Sequence, residues 1–229
     1  MAEEKDINHE NQEISAESVL STAEQYIETN QKNILIVLGI VVAAVLIFIL
    51  YKKAYLGPKE KEAQAQMFLA EQNFERDSFR LALNGDGMNP GFIEIVDDYS
   101  STPSGNLARY YAGMSYLHLH DFENAIAYLK KYKSNDAMAG PLACGAIGDA
   151  YSEMDDYNTA LTYYLKAAKM QKNQYTAPIF LMKAAMIYEK LDDYRKAYNI
   201  YKKLKFEYPG SQEARAVDKY LARAKHLAQ

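Results

Sequence analysis

The sequence predicts an all-α chain: one N-terminal membrane-length helix, then an α-solenoid of helix–turn–helix repeats closed by a C-terminal capping helix. Two observations carry this. A phrase occurs three times, as Gly113-Met-Ser-Tyr116 with Asp121-Phe-Glu-Asn-Ala125, Gly148-Asp-Ala-Tyr151 with Asp156-Tyr-Asn-Thr-Ala160, and Ala185-Met-Ile-Tyr188 with Asp193-Tyr-Arg-Lys-Ala197. The copies lie roughly 34 to 37 residues apart, the period of stacked helical hairpins that present extended binding surfaces. The second observation is an uncharged run between Lys32 and Lys52, apolar almost throughout. About 19 residues at ~1.5 Å rise span roughly 28 Å, close to the hydrocarbon thickness of a bilayer.

The chain has 229 residues, 24% charged and 49% hydrophobic, which suits one globular unit with something attached. Its net charge of −4 is unevenly placed. Residues 1–33 carry eight acids against Lys5 and Lys32, a balance of −6, which leaves +2 for the rest. With no basic stripe for a phosphate backbone, nucleic-acid binding is not expected. The lone Cys144 excludes a disulfide framework.

Taken in order, residues 1–13 are polar and acidic and are expected to be a disordered head. Over 14–31, Val19, Leu20, Ala23, Tyr26 and Ile27 recur at helical spacing with Glu17, Glu24 and Glu28 on other faces, an amphipathic helix. It reads as a docking helix for a membrane partner or as a lead-in to the span. Residues 33–51 form the transmembrane helix: Tyr51-Lys-Lys53 follows it without a small-residue cleavage site, and the acidic head is wrong for a signal peptide. Lys52, Lys53, Lys59 and Lys61 follow the span and only Lys32 closely precedes it, so the positive-inside rule places the C-terminal domain in the cytoplasm.

Residues 52–105 read as a helical linker and a degenerate first repeat. Gly57-Pro58 is expected to break the helix. A second helix runs over 59–83, with Met67, Phe68, Phe74 and Phe79 as packing residues. A loop dense in turn formers, Asn84 to Gly91, joins it to a short helix with Phe92, Ile95, Val96 and Tyr99 on its apolar side. Residues 106–210 hold the three repeats. In each, a small residue (Gly113, Gly148, Ala185) marks a close helix crossing, and a Tyr three residues on (Tyr116, Tyr151, Tyr188) fills the groove. An Asp caps the second helix. An aromatic (Phe122, Tyr157, Tyr194) packs back, and Ala125, Ala160 or Ala197 permits a second close approach. Pro209-Gly210 ends the series. Over 211–229, Ser211 caps a final helix, Gln212 to about Leu227, with Ala214, Val217, Leu221 and Ala224 inward and Arg215, Lys219, Arg223 and Lys225 outward, as a solenoid end requires.

Small–x–x–Tyr, aromatic–x–x–Ala and a closing Pro make residues 106–210 resemble the tetratricopeptide repeat. Two family features depart: Arg109, Cys144 and Leu181 stand at its first-position Trp, and the Pro occurs only as Pro209. The resemblance implies a concave face lined by the first helix of each pair. At those positions stand Tyr110, Met114 and Leu117, then Asp149 and Glu153, then Met182, Met186 and Lys190. Relatives that clamp a terminal carboxylate use Lys, Arg and Asn there, so this chain's Tyr, Met and Asp argue against such a clamp. Met and Tyr make a soft surface suited to varied partners. The same side chains would equally serve to pack neighbouring repeats together.

The layout as a whole, an acidic amphipathic head, one uncleaved span and then Ala-rich helix and repeats, resembles the ancillary subunit of the bacterial Sec translocon and its relatives. That resemblance implies a single-pass protein of the bacterial inner membrane with a periplasmic repeat domain. Its partners would be the Sec channel and a membrane-anchored periplasmic chaperone, and its orientation is opposite to the one the lysines favour.

Nothing in the sequence points to an enzyme, a cofactor or a metal. His118 and His120 are two apart on a helix and face different ways. Asn84-Gly-Asp86-Gly lacks the further acids of a calcium loop. Asp155-Asp156 and Asp192-Asp193 sit in turns, and Cys144 beside Gly145 and Ala146 reads as small core filler. Two functions remain: a membrane-anchored interaction module assisting translocation or periplasmic chaperoning, or a cytoplasm-facing scaffold recruiting a soluble complex.

Overall fold

The computed structural model describes residues 16–134, 136–170 and 172–229, with side chains at all of these except 16–24, 27 and 28. Among the described residues all regular structure is helical, and the chain divides into two units, up to Tyr55 and from Leu56. The expected head, residues 1–13, lies outside the described residues. So do the side chains of Val19, Leu20, Ala23 and Ile27, on which the amphipathic reading of 14–31 rests.

The first unit is built on α1 (Ala16–Tyr51), a single 36-residue helix where two had been expected. Nothing between Thr29 and Asn33 stops it: there is no Gly or Pro, and the Thr29 hydroxyl and Asn30 amide donate back to the Gln25 and Tyr26 carbonyls at 2.7 and 3.0 Å. A stretch of it is long and apolar enough to cross a membrane, with a mean hydropathy of 3.3 and no residue buried against protein.

The break expected at Gly57-Pro58 does not occur. Lys52–Leu56 form a π-helical turn, and α2 (Gly57–Glu75) follows with Pro58 in its first turn. Helical turns precede Pro58, so its missing N–H interrupts the bonding there, and a π-turn is where α-helices accommodate such interruptions. The helix expected over 59–83 is two, α2 and α3 (Phe79–Asn84), separated by a turn in which Asp77 takes a positive φ of 55°. Ala63, Met67 and Ala70 form the buried stripe of α2. Phe68, expected to pack, is 60% exposed, because one residue on from Met67 is about 100° round the helix.

After α4 (Phe92–Asp98) come the three repeats: α5 (Pro103–His118) with α6 (Phe122–Lys131), α7 (Ala139–Glu153) with α8 (Tyr157–Met170), and α9 (Thr176–Lys190) with α10 (Tyr194–Glu207). Their turns are alike to the atom. His120, Asp155 and Asp192 adopt φ near +60°, and the next residue's N–H donates to the carbonyl of Tyr116, Tyr151 or Tyr188 at 2.9 Å. This is the six-to-one bond of a Schellman cap. That next residue is the expected capping Asp: Asp121, Asp156 and Asp193 accept from the amides of Asn124, Thr159 and Lys196 at 3.3, 3.1 and 3.1 Å. One aspartate thus closes the first helix with its backbone and opens the second with its side chain.

The degenerate repeat that precedes these three shares this turn. Asp77 N–H donates to Phe74 O at 3.0 Å and Ser78 N–H to Asn73 O at 2.8 Å. Ala70, Asn73, Ser78, Phe79 and Ala82 therefore occupy the positions of Gly113, Tyr116, Asp121, Phe122 and Ala125, and both alanines are buried. The loop expected to join this repeat's helices instead interrupts the second of them, between α3 and α4. Gly85 turns the chain at φ +75°, where a Cβ would lie 2.1 Å from the Asn89 carbonyl. The Asp86 carboxylate accepts from the Met88 and Asn89 amides at 2.9 and 2.7 Å, holding the loop as an Asx-type turn.

Close packing follows the small residues. A Cβ on Gly113 would lie 2.5 Å from Leu129 Cγ, and on Gly148 2.7 Å from the Tyr164 ring, while Ala125, Ala160, Ala185 and Ala197 are fully buried. The expected final helix is two: α11 (Gln212–Ala216), capped by Ser211 Oγ on Ala214 N at 3.1 Å, and α12 (Asp218–Leu227). The fully buried Val217 at their junction and Ala224 keep the expected inward face, and Arg223 reaches back to bind Glu189 of α9 through Nε at 3.2 Å and through Nη2.

Candidate functional site

The first helices of successive pairs touch, α5 on α7 and α7 on α9, so these form one rank of the solenoid, the rank for which the tetratricopeptide resemblance implies the concave face. The structure sorts the eight residues expected there into two groups. Tyr110, Met114 and Leu117 are half-buried against Ile126, Leu129 and the α7 residues Ala143, Ala146, Ile147 and Ala150, and so pack between the first and second repeats. Tyr110 also meets the Tyr132 ring at 5.4 Å, and burial pushes its phenol above the ordinary value. Met182 packs partly on the core of the last two repeats.

The others face solvent or a cleft. Met186 is 42% exposed and Glu153 is exposed. Lys190 stands over the Tyr157 ring at 4.3 Å, and its hydrogen bond to that phenol holds its ammonium above the ordinary pKa. A cleft of about 410 Å³ brings Leu117, Asp149 and Glu153 together with His118, His120, Phe122, Ser152, Tyr164 and Lys183.

Asp149 is the centre of that cleft. It accepts from the Tyr164 hydroxyl at 2.7 Å and from Lys183 Nζ at 2.6 Å, so helices α7, α8 and α9 converge on one carboxylate. Burial pushes the Tyr164 phenol far above its ordinary value, and the adjoining Asp149 charge adds to the shift. The phenol therefore stays a donor at any physiological pH. With two donors already on it, Asp149 organises the cleft and leaves Glu153 as the carboxylate facing outward. Leu117 and Phe122 supply an apolar wall, and His118 is stacked on Phe79 at 4.3 Å.

Tyr164, Lys183 and Phe122 were not among the expected residues of the face. A signal for Lys183 exists: counted back from Gly113, Gly148 and Ala185, its column holds Tyr111, Ala146 and Lys183, and a cation in an otherwise uncharged column points to an acidic partner. Cys144 is buried and its thiol faces the Tyr163 carbonyl at 3.5 Å; burial pushes its pKa up, the opposite of an activated thiolate. Among the described residues no group of three His, Cys, Asp or Glu side chains could hold a metal ion.

Comparison with known proteins agrees with this architecture. Residues 107–137 and 180–211 match one family model of the tetratricopeptide repeat and residues 142–174 match another. No curated protein matches the sequence. Among solved structures, a chain described as a kinesin light chain of Podosopora anserina with nearly identical TPR-like repeats aligns at a TM-score of 0.57 and 12% identity, covering 73% of this chain and 87% of its own. A point variant of that protein aligns equally well. At such identity the likeness is one of fold alone. The repeated Schellman-and-Asp turn, the small-residue crossings and the family matches agree: this chain carries tetratricopeptide repeats in a TPR-like helical fold.

Proposed function

We propose that the chain is a non-catalytic, membrane-anchored holder of protein partners, tethered through residues 33–51 of α1 and binding through the concave face of α5, α7 and α9. The observation that carries this is the conjunction of tetratricopeptide repeats with a helix long and apolar enough to span a bilayer. Repeats of this kind hold other proteins, and the span would confine them to a membrane surface. The resemblance in layout to the ancillary subunit of the Sec translocon favours a periplasmic repeat domain in the bacterial inner membrane, assisting chains that emerge from the channel or a chaperone that receives them. The lysines after the span favour the second reading, a cytoplasm-facing scaffold that recruits a soluble complex.

Leu117 and Phe122 offer apolar contact within the cleft and Glu153 lines it, while Met186 and Lys190 are exposed on α9, a surface suited to a partner segment of mixed apolar and charged character. Reporter fusions at the C-terminus, one active only outside and one only inside the cytoplasm, separate the two orientations; activity of the cytoplasmic one sinks the translocon reading. Partner binding is tested by co-purification in mild detergent with Met186→Glu combined with Glu153→Lys. Both side chains are exposed, so the variant keeps the fold, whereas Met114 packs in the core and would confuse the result. Loss of the partner with an unchanged helical spectrum is expected, and full retention moves the binding surface elsewhere.

A further inference from the structure

The helical hairpins have two edges, and they carry opposite charge. At the turns inside each repeat stand Asp121, Asp155, Asp156, Asp192 and Asp193. At the opposite edge the second helices end and the next first helices begin. There Lys131, Lys166 and Lys203 occur in one register, each ten residues after the capping aspartate of its repeat, and Lys169, Lys172 and Lys202 lie beside them. All six are exposed. Side-chain bonds hold this edge together: Asn106 donates to the Lys133 carbonyl and Asn173 to the Ala137 carbonyl, each at 2.7 Å.

Lysines at helix C-termini are expected from the helix dipole. Helices α5, α7 and α9 begin at it with no acid in their own first turns, though the Glu60 and Asp136 carboxylates accept from the opening amides of α5 and α7. One further feature of the edge is not expected from the dipole. Large apolar side chains also stand out among the lysines: Tyr175 is 72% exposed and Phe206 70%, with Met138 and Met170 about two-fifths exposed. Of the acids nearby, Asp136 is engaged by the Met138 and Ala139 amides, Glu207 by Lys203 at 3.8 Å and Asp218 by Lys205, while Asp97 and Asp98 are exposed at the end of α4.

Lysine with protruding aromatic and thioether side chains is the composition that binds an anionic lipid surface, ammonium groups at the headgroups and rings in the interface. Protein interfaces use exposed rings as well; the lipid surface is favoured because an α1 that spans a bilayer would hold the domain beside one. We propose that this basic edge docks the repeat domain on an anionic phospholipid surface, with Phe206 and Tyr175 entering the interface. The inference rests on the reading of α1 as a membrane span, which keeps the domain within reach of a bilayer.

The chain contains no Trp, so a single introduced Trp reports its own position without background. Full-length protein is reconstituted in nanodiscs of brominated phosphatidylcholine, with and without phosphatidylglycerol at about a third of the lipid. Three reporters are compared: Phe206→Trp at the basic edge, Met154→Trp at the acidic edge and Phe48→Trp in α1. Docking predicts that the Phe206→Trp emission is quenched about threefold more with phosphatidylglycerol than without. The difference should vanish in about 0.5 M salt, where screening falls to a few ångströms, and with Lys166→Glu plus Lys203→Glu. The Met154→Trp reporter stays unquenched. Equal quenching of the two edge reporters, or no response to phosphatidylglycerol, overturns the docking. If Phe48→Trp is quenched in both lipids while Phe206→Trp is not, the docking alone fails; if neither is quenched, the span reading fails with it. A Phe206→Trp emission indifferent to lipid but shifted by polyglutamate overturns the lipid assignment in favour of an acidic protein.

Discussion

Gly145 should be the least replaceable residue of the second repeat, for a reason outside its own helix. A Cβ there would lie 1.8 Å from Phe180 Cε1 and 2.2 Å from Cζ, and Phe180 is itself buried at 2% exposure. Carbon atoms rest about 3.5 to 4 Å apart, so Gly145→Ala requires the ring to move by close to 2 Å within a packed core. Overpacking of this kind costs roughly 1–3 kcal/mol. Replacing a mid-helix Gly by Ala in an open site would instead gain up to about 1 kcal/mol. The expected net loss is therefore about 1 kcal/mol, within a range of roughly 0–2 kcal/mol, opposite in sign to propensity. Phe180→Leu alone leaves a cavity and also destabilises, by about 1–3 kcal/mol. In the double variant the new methyl occupies space the ring edge has left, so the combined loss should fall short of the sum by at least about 1 kcal/mol. Urea midpoints of the full chain in detergent, followed by far-ultraviolet circular dichroism, measure all four proteins. A stabilised Gly145→Ala, or strict additivity in the double variant, refutes the steric argument.

Two further outcomes follow from the caps. Asp156→Ala should cost about 1 kcal/mol through loss of the bond to the Thr159 amide, while Asp156→Asn should restore most of it; equal effects of the two on the thermal midpoint would show the side chain is idle. Glu60 of α2 reaches the start of α5, accepting from the Ser104 amide at 3.0 Å and hydroxyl at 2.8 Å. Burial acts to raise its pKa, but these bonds and the Gln64 amide outweigh it and hold the carboxyl below the ordinary 4.5. Its folded pKa is the lower one, so its stabilisation is complete above the unfolded value and is lost as the pH falls through the folded value. Wild type should exceed Glu60→Ala in stability at pH 7, and the gap should close below about pH 4.5; a gap constant from pH 7 to pH 3 contradicts this.

Much of the repeat architecture was legible because its determinants are local. The capping aspartates, the small crossing residues and the aromatic that follows each cap occur at fixed offsets, and each offset reflects the geometry of one turn. The degenerate repeat was legible as a repeat, but its turn was misplaced although Ala70, Asn73, Ser78, Phe79 and Ala82 keep the same offsets. Two things hid it: Asn and Ser replace Tyr and Asp, and the loop from Asn84 to Gly91 lengthens the spacing to the next copy. Read as a connection between helices, that loop displaced the turn by several residues. The split at Val217 and the continuous passage through Pro58 were hidden for a different reason, since Pro at a first turn and a buried Val are each compatible with either outcome.

The concave face divides in the same way. Repeat position told which helix side Tyr110, Met114, Asp149 and Met186 share. It could not tell that the next repeat would cover Tyr110 and Met114, because that depends on how closely α7 approaches α5, and the approach depends on side chains more than thirty residues away. Asp149 shows this most plainly: Tyr164 lies fifteen residues on and Lys183 thirty-four, and only the stacking of α7, α8 and α9 brings both onto one carboxylate. By itself, then, the sequence determined the helical class, the repeat period, the apolar helix and the turn chemistry, all of which follow from contacts within a few residues. The tertiary structure alone decided which repeated side chains are spent on packing and which face outward, and it alone gathered the lysines and exposed rings of successive repeats onto one edge, because neighbouring repeats meet through distances that no local pattern encodes.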